Sequence, residues 1–487
     1  MLRGLSLAAA SLSLAHTAIA QAAGSQAGVP PWAAMAGEDL QAIHDLLAAN
    51  HPGPVDRRNR NYAEWLETGL AEAKRRAQTA VSYGDYVRAL RFYLNGFRDG
   101  HIFASFTMSP NLLSWPGFLV RRFDADGKIK VAVTDEGSKA LNGAELLSCD
   151  GKPVEMLMQE RLDPYFWNRD IPHARWRALP NLFVLQPSDS ALRFKTCTFA
   201  IGRGTAQATL QWVDAPRQLV LDEANKLAPP RPPLGLRKVG DIWFVTLPSF
   251  DYAGAGAGPI RSLIGDLKAH AADLRKGTIV LDVRGNGGGN SAWAEEIASA
   301  LWGNALAQHV IASFDQSVDW RASPANIARL EQVVAQNRRD GLADAAASWQ
   351  KALDAMKSAL ARGATLARVP DPPTAVGPPP ANPVTGRVYL LTDAGCASAC
   401  LDFADIVRRM PGTTLIGLPT SADTLYVDVD YALLPSGLAG LTYAMKVYRN
   451  RVRGNNQWYE PDVRWPGGAM TDEALIRWID AIPRHQG

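Results

Sequence analysis

The chain has 487 residues, 47% of them apolar, enough for roughly two to four domains with substantial cores. Its formal charge of +3 gives no electrostatic reason to expect a nucleic-acid partner. The four cysteines, Cys149, Cys197, Cys396 and Cys400, are too few for a disulfide scaffold and lack the spaced partners of a zinc site, so neither a metal nor another cofactor is expected.

Residues 1–20 read as a secretory signal: Arg3, an apolar stretch from Leu5 to Leu14, then Ala18-Ile19-Ala20 as a small-residue cleavage site. The apolar stretch is shorter than the ~20 residues that cross a bilayer, and no later run reaches that length. The expected mature chain starts near Gln21, carries +2 once Arg3 is gone, has no membrane span, and is periplasmic or secreted.

From Pro31 to about residue 100 apolar residues recur at helical spacing, as in Leu40, Ile43, Leu46 and Leu47, which predicts an N-terminal helical domain. Residues 101–215 shift to short strands such as Ile129 to Val133, with turns at Asp124 to Gly127 and Asp150-Gly151, a β-rich module. Residues 236–480 alternate strands with helices and predict a layered α/β core, so the fold class is α/β within an α+β multidomain chain. An insertion at 318–383, helical and charged and then proline-rich from Pro370 to Pro383, interrupts that core. It is expected to be a helical hairpin on a stiff tether, either a solvated decoration or a lid.

Two strand-to-helix turns carry the candidate chemistry. Asp282-Val283-Arg284-Gly285-Asn286-Gly287-Gly288-Gly289-Asn290 has glycines that can turn amide groups toward an anion or an oxyanion. Its spacing fits neither a dinucleotide fingerprint nor a P-loop, and on local grounds it is equally a tight turn. The second, Leu390 to Cys400, holds Ser398 among small residues at the start of a helix. An N-cap and a nucleophile are both open readings there; as a nucleophile, Ser398 would have the Ala399 amide beside it.

Together these segments resemble the tail-specific, C-terminal-processing serine peptidases and their tricorn-like relatives. Leu281 to Gly288 is similar to the family's L-D-x-R-x-N-x-G-G strand end, and Leu390 to Cys400 to its serine turn. Gly417-Leu418-Pro419-Thr420 is similar to the following G-x-P-T, and Pro461-Asp462 to the late P-D. The resemblance implies a crotonase-like layered core and Ser398 as nucleophile, with Gly287 or Gly288 and Ala399 as oxyanion donors. It also implies a PDZ-like role for the β-module, for which a structural β-domain between the helical and catalytic parts stays open as the other reading. Gly143 to Val154 resembles a PDZ strand and turn, and Trp115-Pro116-Gly117-Phe118 stands where a carboxylate-binding loop would be, making Gly117 and Phe118 candidate substrate contacts.

The family's lysine after G-x-P-T is replaced by Asp423, and Lys446, the one lysine beyond Ser398, is out of register. Tricorn-type relatives use a D-x-H histidine, which Arg98-Asp99-Gly100-His101 offers, so His101 is the expected base. Asp423 and Glu460 are candidates to hold its second nitrogen; Asn455, Asn456 and Gln457 occupy the place of the family's acid. Cys396 and Cys400 bracket Ser398 and are expected to form a disulfide after export, with Cys149 and Cys197 a second. The expected activity is hydrolysis of peptide or unfolded-protein substrates. An esterase, or a non-catalytic ligand- or peptide-binding protein on the same fold, stays open.

Overall fold

The computed structural model describes residues 31–123, 127–166, 171–227, 232–314, 316–370, 377–467 and 470–483. The expected signal segment, the turn at 124–126 and residues 371–376 of the proline-rich stretch lie outside them. Among the described residues no helix is long and apolar enough to cross a membrane.

The central sheet runs in the order Gly235–Val239, Ile242–Thr246, Thr278–Asp282, Val388–Thr392, Thr413–Gly417, Val463–Arg464. Its first pair is antiparallel and the rest are parallel. Parallel strands with helices on both faces must be apolar on both faces, and Thr278–Asp282 and Val388–Thr392 are near-continuous apolar runs. Successive side chains alternate sides. Ile279, Leu281 and Leu390 therefore pack under the helices Gly258–Ala269, Ala292–Trp302 and Ala399–Val407, while Val280, Tyr389 and Leu391 meet Asp472–Ala481. The carboxyl ends of the two inner strands open into the two candidate loops, where layered α/β sheets place their ligands.

A second, antiparallel sheet carries the other side of the site. Its long strand Ala439–Arg449 pairs with Phe103–Phe106 and Ser317–Arg321 along one edge and with Tyr426–Leu433 along the other. One core joins this sheet to the N-terminal helices Trp32–Asn50, Arg60–Ala77 and Tyr83–Asn95. The same core includes the insertion. Its helices Pro324–Arg339 and Ala343–Ala361 sit between the strands Ser317–Arg321 and Leu366–Pro370, and bury Leu330, Val333, Trp349 and Met356. The hairpin is thus a structural layer packed with the N-terminal helices, neither a solvated decoration nor a lid.

The β-module is a third body, built on Phe118–Arg122, Ile129–Thr134, Glu145–Cys149, Thr196–Ile201 and Gly204–Thr209. Cys149 and Cys197 face each other in its register and form a disulfide. Short helices, including Val154–Arg161 and Pro172–Arg177, interrupt the strands in a region that reads from sequence as β-rich throughout.

Arg449 ties the second sheet to the N-terminal region. Its guanidinium donates to both oxygens of Asp56 (2.9 and 3.0 Å) and to Asp319 (2.6 Å), with all three side chains buried. Burial acts to raise the Asp319 carboxyl, but Arg368 and Arg449 outweigh it and hold it below its usual range. Arg449→Met would leave two buried carboxylates without this cation and is expected to cost about 3–5 kcal/mol in urea unfolding; a loss below about 1 kcal/mol would show the cluster to be dispensable. A depressed carboxyl stabilises the fold above its unfolded value, near pH 4, and loses that contribution as pH falls through the folded value. Unfolding followed between about pH 6 and 2 should show wild type losing stability more steeply below about pH 4 than Arg449→Met.

Candidate active site

Ser398 sits at φ 53°, ψ −125°, a conformation that side chains strongly disfavour. Such a residue costs about 1–3 kcal/mol and persists only when its surroundings hold it. Ser398 occupies the N-cap position of Ala399–Val407, but its side chain makes no capping hydrogen bond. The hydroxyl is therefore not used up by the helix.

Several bonds fix this turn. Asp393 Oδ1 accepts the amides of Gly285 (2.7 Å) and Gly395 (2.8 Å), joining the two loops through one carboxylate. Burial pushes the Asp393 carboxyl up, against these amides and Arg284, which favour the charged form. Ala397 N donates to Asn286 O (3.1 Å), Ser421 N donates to Cys396 O (3.0 Å), and a Cys396–Cys400 disulfide closes the turn around Ser398. The loops approach so closely that a Cβ on Gly395 would fall 2.5 Å from Gly285 Cα.

The glycine loop is organised by Asn286, which is fully buried. Its Nδ2 donates to Leu247 O (2.8 Å) and its Oδ1 accepts Gly288 N (2.9 Å). The Gly288 amide, one of the expected oxyanion donors, is thus already engaged, which leaves Gly287 N and Ala399 N. Gly288 has φ 100°, and a Cβ there would lie 2.6 Å from Ser398 Cβ, so glycine is required for the contact. At the base of the loop Arg284 grips Asp282 through two bonds of 2.8 and 2.6 Å.

His101 arrives from outside the central sheet and lines, with Ser398, Gly287 and Asp423, one cavity of about 450 Å³. His101 Nδ1 is 2.7 Å from Tyr426 O. A carbonyl only accepts, so Nδ1 carries the proton and Nε2 is the unprotonated nitrogen of the neutral ring. Asp423 Oδ1 lies farther from Nδ1, at 3.7 Å, and its other oxygen is 3.7 Å from Arg451. Burial opposes the Arg451 charge, but Asp402 and Asp423 hold it firmly protonated.

The His101 loop is itself supported from below. Asp99 Oδ1 accepts His101 N (2.8 Å), and Asn456 Nδ2 donates to Arg98 O (2.7 Å). Beneath lies His51, fully buried and stacked on Tyr62, with Nε2 3.4 Å from Asp99 Oδ2. Burial lowers its pKa despite the pull of Asp99, and Gly53 N donates to its Nδ1 (2.9 Å), so His51 is neutral with its proton on Nε2 toward Asp99. Sequence alone sets His51 aside, because it lies in no motif. Its one signal is its place between two helical stretches, just ahead of Pro52-Gly53-Pro54.

Other expected site residues lie elsewhere. The Glu460 side chain is 60% exposed, accepts Trp458 Nε1 (2.9 Å) and does not line the cavity, so it cannot hold the His101 ring. Phe118 is 1% exposed and packs on Phe183 and Phe199, so its ring is core rather than a substrate surface, and neither it nor Gly117 lines the cavity. Lys446 is buried on Asp428 (2.7 Å). Asp462 has a structural part, accepting Leu415 N (2.8 Å) at the end of the central sheet. Among the described residues no three His, Cys, Asp or Glu side chains converge as a metal-ion site.

Residues 241–464 match the family model described as Peptidase family S41. The fold is similar to that of mature CPAF, at TM-score 0.59 and 15% identity, over 89% of this chain and 92% of that one. It is similar as well to mature CPAF complexed with lactacystin, at TM-score 0.58 and 15% identity, over 89% and 94%. No curated protein matches the sequence. The match spans the central sheet and both loops, so residues 241–464 of this chain are similar to the serine peptidases of family S41.

Proposed function

We propose that this is an exported peptidase that cleaves peptide bonds through an ester on Ser398, with His101 as general base and then acid. The observation that carries the reading is the pairing of a strained, uncapped serine with a histidine whose Nδ1 proton is committed to Tyr426 O, both facing one cavity. In this scheme Ser398 Oγ attacks the substrate carbonyl carbon while His101 Nε2 takes the hydroxyl proton. Gly287 N and Ala399 N donate to the developing oxyanion, a contribution worth about 3–4 kcal/mol per donor in comparable sites. Collapse breaks the C–N bond, and His101 gives its proton to the leaving amine. Water, deprotonated by His101, then hydrolyses the ester.

Tyr426 O holds the tautomer, and Asp423 supplies negative potential to the imidazolium. Glu460 takes no part. Export is supported by the signal-like residues 1–20 and by two disulfides, which persist in oxidising compartments such as the periplasm or the medium. The substrate in this reading is a peptide or an unfolded protein.

Fluorophosphonate should label wild type and not Ser398→Ala, with His101→Ala slowed by about 100-fold or more. Labelling that survives Ser398→Ala would move the nucleophile elsewhere, and a wild type that neither labels nor degrades unfolded protein would remove the hydrolase reading. Asp423→Asn should lower kcat by about tenfold or less, because the carbonyl still orients the ring; a loss as deep as that of His101→Ala would make the carboxylate the third catalytic member. The unreduced, denatured protein should titrate no free thiol, and four thiols would contradict both disulfides.

A further inference from the structure

The Tyr426–Leu433 strand is paired along one edge only, to Ala439–Arg449, and among the described residues no strand occupies its other edge. Exposed edges usually carry lysine, proline or a covering element, because unpaired main-chain groups recruit other strands. This one reads Tyr-Val-Asp-Val-Asp-Tyr-Ala-Leu and has neither residue.

Its outer face carries Tyr431 and Leu433 and continues across the sheet. Tyr431 stands opposite Thr442, which stands opposite Phe103; Leu433 stands opposite Gly440, which stands opposite Ser105. Tyr431, Leu433 and Phe103 are 45%, 59% and 46% exposed. A Cβ on Gly440 would come within 1.9 Å of the Tyr431 hydroxyl, so the ring lies flat over the sheet where glycine makes room. The opposite face turns inward, with Asp430 3.3 Å from Arg329 and Tyr443 in the core. Scattered apolar residues on a surface are ordinary, but Tyr431 and Leu433 sit side by side along an unpaired strand edge.

The row runs into the cavity. Val427 and Val429 line it, Tyr426 O holds His101, and Phe103 follows His101 by two residues. We propose that the open edge of Tyr426–Leu433, with Tyr431 and Leu433 beside it, is a track on which an extended, apolar stretch of substrate polypeptide lies as an added strand, feeding its scissile bond to Ser398. The occupant follows from chemistry: a strand edge presents donors and acceptors at a spacing that another extended backbone matches, and the apolar row receives every second side chain. Such segments are exposed in unfolded protein and buried in folded protein. The inference rests on the hydrolase reading for its direction toward Ser398, but binding to the track can be read without turnover.

The test compares Tyr431→Thr/Leu433→Lys with wild type on a fluorescent twelve-residue peptide of alternating apolar side chains and on a short chromogenic ester. The ratio of kcat/KM for peptide to that for ester should fall about tenfold in the variant. N-methylation of alternate amides in the peptide should raise its KM on wild type by a similar factor. In the Ser398→Ala background, fluorescence anisotropy should show the same loss of peptide affinity from the track substitutions. An unchanged ratio, insensitivity to N-methylation, or equal affinity in the anisotropy experiment would overturn the track. So would sedimentation showing a wild-type dimer that the substitutions convert to monomer, since the edge would then pair two copies. Absence of turnover and of fluorophosphonate labelling in wild type would count against the hydrolase reading alone, and anisotropy would still decide the track.

Discussion

The Asp393 carboxylate is the point on which the site depends. By accepting amides from Gly285 and Gly395 at once, it locks two loops from adjacent parallel strands into backbone contact. That contact places Gly288 against Ser398 and leaves no room for a side chain on the glycine. Burial disfavours the Asp393 charge, and hydrogen bonds to a buried carboxylate are correspondingly strong. The strained Ser398 backbone is held by this bond together with the Asn286 contacts and the Cys396–Cys400 disulfide.

The proposed base comes from a different body. His101 lies on the link between the N-terminal helices and the second sheet, and its partner Tyr426 O lies on another strand of that sheet. Whatever fixes the second sheet against the central one therefore fixes His101 against Ser398. Asp402 does this directly: it sits on the helix after Ser398, accepts Ser291 Oγ (2.7 Å), and meets Arg451 and Arg453, which follow the long strand of the second sheet. Burial acts to raise the Asp402 carboxyl, and the two arginines pull it below its usual range. Charge pairing rather than apolar packing thus couples the two halves at the cavity.

Orientation of His101 by a main-chain carbonyl changes what the neighbouring acid has to do. A carbonyl fixes the tautomer as well as a carboxylate does, but it adds less stabilisation to an imidazolium. In the proposed scheme Asp423, which lies 3.7 Å from His101 and 3.7 Å from Arg451, is a shared rather than a dedicated partner of the ring. His51 and Asp99 act one layer farther in, holding the loop rather than the ring.

Local patterns in the sequence determined the central strands and helices, the two small-residue turns and the Asp99-Gly100-His101 segment, because periodicity, glycine spacing and turn chemistry act over a few residues. They also pointed to Cys396 and Cys400 as a pair, since a sequence separation of 4 already brings the sulfurs close. Tertiary structure alone decided the rest. A backbone carbonyl such as Tyr426 O has no signature in a side-chain sequence, so the acceptor for His101 could not be read. Phe118 is apolar in core and in pocket alike, and only packing separates the two. The charged insertion helices looked solvated because half of each faces water, while the buried half fits a core formed by helices from the other end of the chain. Gly288 looked like an available donor until Asn286 folded back onto it. Each of these depends on which distant groups come within a few ångströms, and that is settled when the three bodies close on one another.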